Sequence, residues 1–370
     1  MGSVYVAEMW HGPTGAFKDL ALSVVGRLVD HFLKKRDKMA TIMVSTSGDT
    51  GSAAIHSVMA SKNINIVVMY PRHRVSRVQE LQMTTVNSPN VRVISVDGSS
   101  DDQDVVMKKI NTDTSFTKTH NITCVNSVNV ARVLLQAVHF IYLYLQQCPK
   151  ASHKVLFCIP SGGLGNLAGG VIAREMGLPV KFLSAVNEND VVHRAFLQGE
   201  LSLEDLKTTF SSAMDIQIPY NIERVFYYMS GRKPDIVKTV MTGFESGANT
   251  TIPPEILKNN DYISTMRVTN DNTVGAMQRI WKEHGYLLCP HTAVGMQALS
   301  EASGPLWDIQ DKILISTATP AKFPNILEQA GLPLPAAPAI ERLHALKENK
   351  LYLEKEQDWE MKLREIIASF

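Results

Sequence analysis

A lysine near the start of the chain, Lys18, is placed where an amine could act as a nucleophile. A tight turn with glycines and a proline, His11–Ala16, leads directly into the helix predicted for Phe17–Leu33. Lys18 falls in the first turn of this helix, where the positive end of the helix dipole disfavours a cation. The pattern leaves two interpretations open: a surface lysine with its stem along apolar neighbours, or a Schiff-base lysine whose amine is desolvated against an aldehyde.

A glycine-rich turn later in the chain has the properties of an anion site. It consists of Ser161, Gly162, Gly163, Leu164, Gly165 and Asn166. It follows the strand predicted for Val155–Ile159 and opens the helix predicted for Leu167–Met176, so backbone amides and a helix N-terminus converge there. The turn lacks both the lysine of a P-loop and the GxGxxG spacing of a dinucleotide site. It therefore predicts phosphate binding, with an ordinary glycine turn or a nucleotide site as weaker alternatives.

A third turn, rich in hydroxyls, follows the strand predicted for Thr41–Ser45. Its residues are Ser47, Gly48, Asp49 and Thr50. Ligands of open α/β sheets bind outside the carboxyl ends of strands, and this turn and the glycine-rich turn both have that placement. A small polar ligand suits the turn, although Ser, Thr and Asp are also ordinary helix caps.

The elements that must position these turns alternate along the chain. This alternation predicts an α/β protein with parallel strands and crossover helices. The predicted strands are Val4–Ala7, Thr41–Ser45, Ile64–Tyr70, Val91–Val96, Val155–Ile159, Val180–Val186, Thr265–Val268 and Lys312–Ser316. Several are apolar throughout, as expected of strands buried on both faces. The predicted helices are Phe17–Leu33, Val128–Leu145, Leu167–Met176, Asn270–His284 and Thr292–Ala302.

The composition is typical of a globular protein and excludes several functional classes. The chain has 370 residues, 45% of them apolar and 20% charged, which favours two domains and excludes global disorder. A net charge of +1 provides no field for collecting nucleic acid or an acidic membrane. The four cysteines lack CxxC spacing, so we expect reduced thiols and no metal site. Charges in the first thirty positions exclude a signal peptide, so the cytoplasm is the expected location, with unconventional secretion of a shortened form left open.

Seven motifs occur in the order found in one family. They are HGPTGAFKD, STSGDTGSAA, NSVNVAR, PSGGLGN, NIER, PHTAVG and STATPAKF. Over nearly its whole length the chain thereby resembles the threonine synthases, including the animal threonine synthase-like proteins, of pyridoxal-phosphate (PLP) fold type II. The resemblance implies a tryptophan synthase β-like α/β fold with parallel sheets, helices on both faces and one smaller domain inserted in a larger one. The expected domains are a large PLP-binding domain at 1–36 and 126–332, a smaller α/β domain at 37–125 and a C-terminal helical tail at 333–370.

The resemblance also implies roles for individual residues. Lys18 matches the lysine that forms a Schiff base with PLP, and Thr317 matches the hydroxyl that contacts the pyridine nitrogen. The cradle for the PLP phosphate matches Gly162, Gly163, Leu164, Gly165 and Asn166. The loop that holds the substrate carboxylate matches Ser47, Gly48, Asp49 and Thr50, and the substrate-phosphate side matches Ser127, Asn129 and Arg132. An arginine clamps phosphate through charge-assisted hydrogen bonds, although an exposed helix charge is the alternative for Arg132.

The implied substrates are small phosphorylated amino acids such as phosphohomoserine and phosphothreonine. In this chemistry the freed lysine moves protons, PLP takes up electrons and phosphate leaves. Water addition at the β carbon then gives threonine, whereas release and hydrolysis give 2-oxobutyrate and ammonia. This chain departs from three sequence patterns of the family. It has GGLGN from Gly162 where the family has GNFGN, STATP from Ser316 where the family has ATAHP, and CPH from Cys289 where the family has DPH. Because positioning a water needs more organisation than releasing a product, these departures favour a phospho-lyase over a synthase.

The front of the chain departs most from the family pattern. Family members carry an N-terminal domain before the Schiff-base lysine, whereas seventeen residues precede Lys18. We therefore expect an N-terminally shortened form in which that domain is absent. The alternative from another functional class is an isoform without catalysis that acts as a secreted or binding protein on a protein partner. A nucleotide-binding α/β protein is the third interpretation.

Overall fold

The structure, a computed structural model, describes residues 4–258, 260–304 and 308–370 and divides into two compact units. Unit 1 comprises Met1–Met9, Val133–Pro320 and Asn325–Pro333. Unit 2 comprises Trp10–Arg132, Ala321–Pro324 and Leu334–Phe370.

Strands and helices alternate through most of the described residues. In chain order the strands are β1 (Val4–Glu8), β2 (Ala40–Ser45), β3 (Ile64–Pro71), β4 (Val91–Val96), β5 (Ile122–Cys124), β6 (Val155–Pro160), β7 (Val180–Val186), β8 (Glu200–Leu201), β9 (Thr250–Thr251), β10 (Ile263–Arg267), β11 (Asp311–Ser316) and β12 (Leu351–Leu353). The helices are α1 (Lys18–Lys35), α2 (Asp49–Val58), α3 (Arg77–Thr84), α4 (Ser100–Thr112), α5 (Thr114–Thr119), α6 (Val130–Gln147), α7 (Gly165–Glu175), α8 (Val191–Leu197), α9 (Ile222–Met229), α10 (Pro234–Glu245), α11 (Pro254–Leu257), α12 (Asn270–His284), α13 (Pro290–Glu301), α14 (Pro324–Gln329), α15 (Pro338–Glu341) and α16 (Trp359–Ala368).

Unit 1 is built on a parallel sheet with the strand order β1-β11-β6-β7-β10. Its core joins Phe140 of α6 to Phe157 of β6 and Phe182 of β7, with ring centroids 5.0 and 5.8 Å from that of Phe140. Helix α7 approaches the sheet closely, since a Cβ at Gly170 would lie 2.6 Å from Phe182. This packing fixes the N-terminus of α7, and therefore the glycine-rich turn, at the carboxyl end of β6.

Unit 2 is built on a second parallel sheet with the strand order β12-β4-β3-β2-β5. Strand β2 is buried along its whole length, and Ile42, Met43 and Val44 form its apolar centre. Helix α1 packs against α2 at very short range, since a Cβ at Gly26 would lie 2.7 Å from the carbonyl oxygen of Ser57. The contact orients α1, whose first residue is Lys18.

The α/β class with parallel strands is confirmed. Every predicted strand and every predicted helix is present, and the ends differ by at most two residues. The prediction succeeded for these elements because their apolar runs are buried in the two sheets or against them.

In the segment expected as a C-terminal helical tail, 333–370, the structure has the strand β12 as well as the helices α15 and α16. Strand β12 pairs with β4 in the sheet of unit 2, and α16 buries Trp359, Leu363 and Ile367 in the same core as Ile94. These three α16 residues recur every fourth position and form one apolar stripe, which the surrounding charges concealed in the sequence.

The expected domain bounds also differ from the two units. The smaller domain was expected at 37–125, but unit 2 contains residues 10–132 together with 321–324 and 334–370. The physical reason at the N-terminal side is the packing of α1 on α2, which holds residues before 37 in unit 2.

All four cysteines lie in the described ranges and are free thiols. Within those ranges, no helix has the length and apolarity to span a membrane. Nor does the described part of the chain contain three or more His, Cys, Asp or Glu side chains arranged to hold a metal ion.

Candidate active site

The turn before Lys18 is closed by an aspartate from the first turn of α1. The backbone amide and hydroxyl of Thr14 donate to the carboxylate of Asp19 at 2.9 and 2.6 Å. A Cβ at Gly12 would lie 2.4 Å from the Asp19 side chain, so only glycine fits this approach. The buried Asp19 carboxylate also complements the helix dipole. The turn thus fixes where α1 begins and where Lys18 lies.

The Lys18 side chain is mostly buried. It is 16% exposed, its Nζ lies 3.8 Å from Asp49 Oδ2, and the same atom lies 4.7 Å from the centroid of the Phe17 ring. Burial lowers the pKa of the Lys18 amine, and the positive charges of Arg132 and Lys322 lower it further, whereas Asp49 opposes the change. The surface-lysine interpretation is therefore wrong, and the site favours a neutral amine more than water does.

A second lysine, Lys322, is completely buried beside the first. Its Nζ donates to Asp49 Oδ1 at 2.8 Å and to the carbonyl oxygen of Thr14 at 2.9 Å. The Gln79 amide donates to the same carboxylate oxygen at 2.9 Å. Asp49 is thus a shared counter-ion for two lysines, and Lys322 holds it even when Lys18 is neutral.

Sequence reasoning missed Lys322, Gln79, Thr14 and Asp19. Lys322 lies in the STATPAKF motif, yet nothing in its neighbours reveals its burial. Its partners come from distant parts of the chain, so no local pattern could have found them.

The turn Ser47–Thr50 lies at the carboxyl end of β2, as predicted, and opens α2. Gly48 has φ 140°, and a Cβ there would lie 2.5 Å from the Gln79 amide. The hydroxyl oxygen of Thr46 accepts hydrogen bonds from the amides of Gly48 and Gly51 at 3.0 and 3.1 Å. The predicted role in holding a substrate carboxylate does not suit Asp49, because its own carboxylate faces two lysines and would repel another anion. Ser47 and Thr50 are half-buried.

The third predicted group, Ser127, Asn129 and Arg132, follows β5, the neighbour of β2 in the sheet. The Asn129 amide donates to the Cys124 carbonyl at 2.8 Å and its oxygen accepts from the Ala131 amide at 3.0 Å, so its groups serve the local turn. Arg132 is 3% exposed and donates to the Val125 carbonyl at 2.8 Å. Burial lowers its pKa to about 10. The exposed-charge alternative for Arg132 is therefore wrong.

The glycine-rich turn of unit 1 is fixed by hydrogen bonds from Asn221, a residue outside the turn. Asn221 donates to the carbonyl oxygen of Gly163 through its backbone amide at 3.2 Å and its side-chain amide at 3.0 Å. Leu164 adopts the left-handed conformation at φ 59°, and α7 begins at the next residue. The first amides of a helix have no acceptors within the helix, so those of Gly165 and Asn166 are suited to an anion.

Thr317 follows β11, the strand beside β6 in the sheet of unit 1. Its amide donates to the hydroxyl oxygen of Thr292 at 3.2 Å, and its own hydroxyl lies 3.9 Å from Cys289 Sγ. The Cys289 sulfur accepts from the Thr292 amide and caps α13. Burial raises the pKa of the Cys289 thiol, so the group beside Thr317 is neutral.

Comparison with known proteins places this geometry in a family. A family model described as pyridoxal-phosphate dependent enzyme matches residues 1–315. Threonine synthase-like 2 of Xenopus laevis is 43% identical over 366 residues, which cover 98% of this chain and 77% of that protein. The human protein of that name is 41% identical over 369 residues, covering 98% and 76%. The chain belongs to the threonine synthase family of pyridoxal-phosphate enzymes.

Solved threonine synthases have the same fold. The PLP-bound enzyme of Brucella melitensis superposes with a TM-score of 0.89 at 33% identity, covering 99% of this chain and 78% of that one. The yeast enzyme gives a TM-score of 0.86 at 32% identity, covering 100% and 77%. The expected PLP fold type II is confirmed, and the cofactor is pyridoxal 5′-phosphate.

Lys18 and the glycine-rich turn of this chain have the chemistry that pyridoxal 5′-phosphate requires. Lys18 offers an amine whose surroundings favour its neutral, nucleophilic form. In the glycine-rich turn, Asn166 is 9% exposed and its Oδ1 has no hydrogen-bond partner among the described residues, while its amide nitrogen donates to Gln136 at 3.0 Å. Flipping both amides keeps this bond and frees the Asn166 NH₂ to donate to an anion. A Cβ at Gly162 would lie 3.0 Å from Met214, so the turn has no room for a larger residue there.

Proposed function

We propose that the protein is a PLP-dependent phospho-lyase of O-phosphorylated amino acids, with phosphohomoserine and phosphothreonine as substrates and 2-oxobutyrate, ammonia and phosphate as products. The observation that carries the proposal is the Lys18 amine, 16% exposed and 3.8 Å from an aspartate that a second, buried lysine already holds. This arrangement suits an amine that must be both a nucleophile and a proton carrier.

Bound PLP supplies an aldehyde that bonds to amines and a ring that accepts the electrons released when a substrate loses a proton. Lys18 provides the protein's amine and, once free, takes a proton from the substrate carbon and returns one later in the reaction. Asp49 stabilises the ammonium form of Lys18 between these two transfers, across 3.8 Å. Because Lys322 neutralises Asp49 at 2.8 Å, the neutral form of Lys18 leaves no unpaired buried carboxylate.

Two groups are suited to phosphate. Arg132 carries a buried guanidinium at the carboxyl end of the unit 2 sheet, and we assign it to the phosphate that leaves the substrate. The amides of Gly162–Asn166 are assigned to the cofactor phosphate, which the turn and the N-terminus of α7 suit by geometry and dipole. The side chains of Ser47, Thr50 and Ser127 are proposed to orient the amino acid.

The choice of lyase over synthase rests on groups that this chain replaces. Cys289 stands where the family pattern has aspartate, and its neutral thiol lies 3.9 Å from the Thr317 hydroxyl. Thr319 likewise replaces a histidine. Because fewer charged groups lie near Thr317, the proposed partner of the pyridine ring, fewer side chains can direct a water molecule to the β carbon of the substrate. Threonine synthesis is the second candidate, favoured by a Pseudomonas aeruginosa threonine synthase that is 36% identical over 342 residues.

The test is a product balance. The PLP-loaded protein is incubated with phosphohomoserine, and phosphate, 2-oxobutyrate and threonine are measured in the same sample. We expect equal amounts of phosphate and 2-oxobutyrate and little threonine, with phosphate release falling at least about 100-fold in Lys18→Ala. Lys35→Ala, an exposed lysine on the same helix, is the matched control and keeps full activity. Threonine as the main product would refute the lyase assignment, and no phosphate release from a folded, PLP-loaded protein would support the non-enzymatic alternative.

A further inference from the structure

A cysteine, a histidine and an aspartate form a chain of contacts in unit 1. Cys148 Sγ lies 3.3 Å from His153 Nδ1, and His153 Nε2 lies 2.6 Å from Asp311 Oδ2. A protonated imidazole donates from both nitrogens, so it can bond to a thiolate on one side and a carboxylate on the other. The same order of groups activates the nucleophile of cysteine hydrolases.

Other donors converge on the same sulfur. The Ser152 amide donates to Cys148 Sγ at 3.2 Å, the Tyr144 hydroxyl lies 3.5 Å away and the Ser152 hydroxyl 3.7 Å away. The single proton of the Tyr144 hydroxyl is shared between this sulfur and the carbonyl oxygen of His153, which lies 2.8 Å from the hydroxyl. A sulfur surrounded by donors is better satisfied as a thiolate than as a thiol, because a thiolate accepts several hydrogen bonds. Hydrogen bonds from the Tyr144 hydroxyl, then from the backbone of His153 and from the hydroxyl and backbone of Ser152, lower the pKa of the Cys148 thiol to about 7.

The remaining cysteines have the opposite environment. Burial raises the pKa of Cys124, Cys158 and Cys289. They therefore serve as unreactive references within the same molecule.

The cluster lies away from the proposed cofactor residues of unit 1. Asp311 is the first residue of β11, and His153 precedes β6, whereas Thr317 and the glycine-rich turn follow these two strands. The two ends of such six-residue strands are separated by about 16–20 Å. The proposed cofactor contacts of unit 1 therefore do not involve the cluster.

Access to the sulfur is through a surface loop. Cys148 is 2% exposed, but residues 149–154 that follow it are all exposed, and the His153 side chain is 46% exposed. Loops of this kind open locally at low free-energy cost. We therefore expect a small reagent to reach the Cys148 sulfur more readily than a large one.

We propose that Cys148 is a redox-modification site at which a hydroperoxide oxidises the thiolate to a sulfenic acid, with His153 and Asp311 as positioning residues. The sulfur attacks one peroxide oxygen, the S–O bond forms and the O–O bond breaks. The sulfur loses two electrons to the peroxide. The leaving hydroxide or alkoxide takes the proton from the His153 imidazolium, which yields water or an alcohol. A low-molecular-weight thiol reverses the oxidation through a mixed disulfide.

The first experiment measures thiolate character directly. The PLP-loaded protein is alkylated with iodoacetamide from pH 5 to pH 10, and each cysteine peptide is quantified by mass spectrometry. We expect the Cys148 rate to follow an apparent pKa near 7. Tyr144→Phe removes the hydrogen bond that lowers the pKa of Cys148 most, and His153→Gln removes the imidazole contact. In both variants the apparent pKa should rise towards the ordinary thiol value of about 8.5, and the rate at pH 7 should fall by at most about 15-fold. Lys154→Gln, an exposed neighbour in the same loop, is the matched control and leaves the rate unchanged.

The second experiment tests the oxidation. Hydrogen peroxide is added with dimedone as the sulfenic acid trap, and we expect the adduct on Cys148 at least about tenfold faster than on Cys158 or Cys289. Asp311→Asn should slow the reaction, whereas Cys148→Ser should abolish it. Slow labelling of Cys158 and Cys289 in every variant shows that the fold is intact. Labelling of Cys148 no faster than these two, or with an apparent pKa above 8, would overturn the proposal.

Discussion

Replacing Lys322 by methionine should raise the pKa of Lys18. Methionine keeps much of the length and apolar volume of the lysine stem but removes its charge. In the wild-type protein Lys322 Nζ lies 2.8 Å from one oxygen of Asp49 and Lys18 Nζ lies 3.8 Å from the other. Removing Lys322 leaves Asp49 to pair with Lys18 and also removes a like charge, and both changes favour the ammonium form of Lys18.

The magnitude follows from these distances. Because both lysines contact one carboxylate, their nitrogens are at most about 9 Å apart, and at an effective dielectric constant of about 20 their repulsion is at least about 2 kcal/mol. One pH unit corresponds to about 1.4 kcal/mol, so the pKa of Lys18 should rise by at least about one pH unit in Lys322→Met. Lys322→Arg retains the charge and should leave the pKa of Lys18 within a few tenths of the wild-type value.

The assay is a pH titration of the PLP-free protein labelled with ¹³C at lysine Cε. The Lys18 resonance is assigned by its loss in Lys18→Ala. Urea unfolding of Lys322→Met determines whether the variant is folded under the titration conditions. A Lys18 pKa that is unchanged or lower in a folded Lys322→Met protein, or equal rises in the Met and Arg variants, would refute the charge-sharing arrangement.

Three further predictions concern stability, each measured by urea unfolding. Hydrogen bonding by Arg77 lowers the pKa of Glu348, which is 25% exposed, to about 2. The ionised carboxylate therefore stabilises the folded protein above pH 4.5, and this stabilisation is lost as the pH falls towards 2. Glu348→Gln should lower the free energy of unfolding by about 1 kcal/mol at pH 7 and leave it unchanged near pH 2. Leu363→Ala, at a fully buried position of α16, should cost about 3 kcal/mol, whereas exposed Met361→Ala should change stability by less than about 0.5 kcal/mol, and equal effects would contradict the burial of α16. Burial lowers the pKa of His139 to about 4. Between pH 6.5 and pH 4 the unfolded chain therefore binds a proton at His139 that the folded protein does not, and the free energy of unfolding falls as the pH falls. His139→Phe should remove this pH dependence of stability, and an unchanged pH profile would contradict the burial of His139.

Eight of the ten strands in the two five-stranded sheets that the structure describes could be predicted, because they carry the signal in their own residues, whereas the three-residue strands β5 and β12 were missed. Strand β6 is apolar at every position and buried at every position, and a glycine-rich turn follows it directly. The sequence did not reveal how the C-terminal segment packs, because Glu360, Met361 and Lys362 separate Trp359 from Leu363 and their shared apolar face appears only when the helix is built.

Within the site, local sequence identified single residues but not their partnerships. Lys18 is conspicuous because a cation is unusual at a helix N-terminus. The buried pairing of Lys322 with Asp49 joins residues far apart in the chain, so only the folded structure reveals that Asp49 faces cations. The chain of contacts from Cys148 through His153 to Asp311 was hidden for the same reason.

The most direct test of the account is the visible absorption of the purified chain with added PLP, recorded for the wild type, Lys18→Ala and Lys35→Ala. We expect wild type and Lys35→Ala to show the band of lysine-bound PLP at one cofactor per chain, and a shift of that band when phosphohomoserine is added. Lys18→Ala should show only the spectrum of free PLP, with a far-UV circular dichroism spectrum like that of the wild type. The same lysine-bound band in Lys18→Ala, or only free PLP with all three folded proteins, would contradict the central claim that Lys18 is the amine that carries the chemistry.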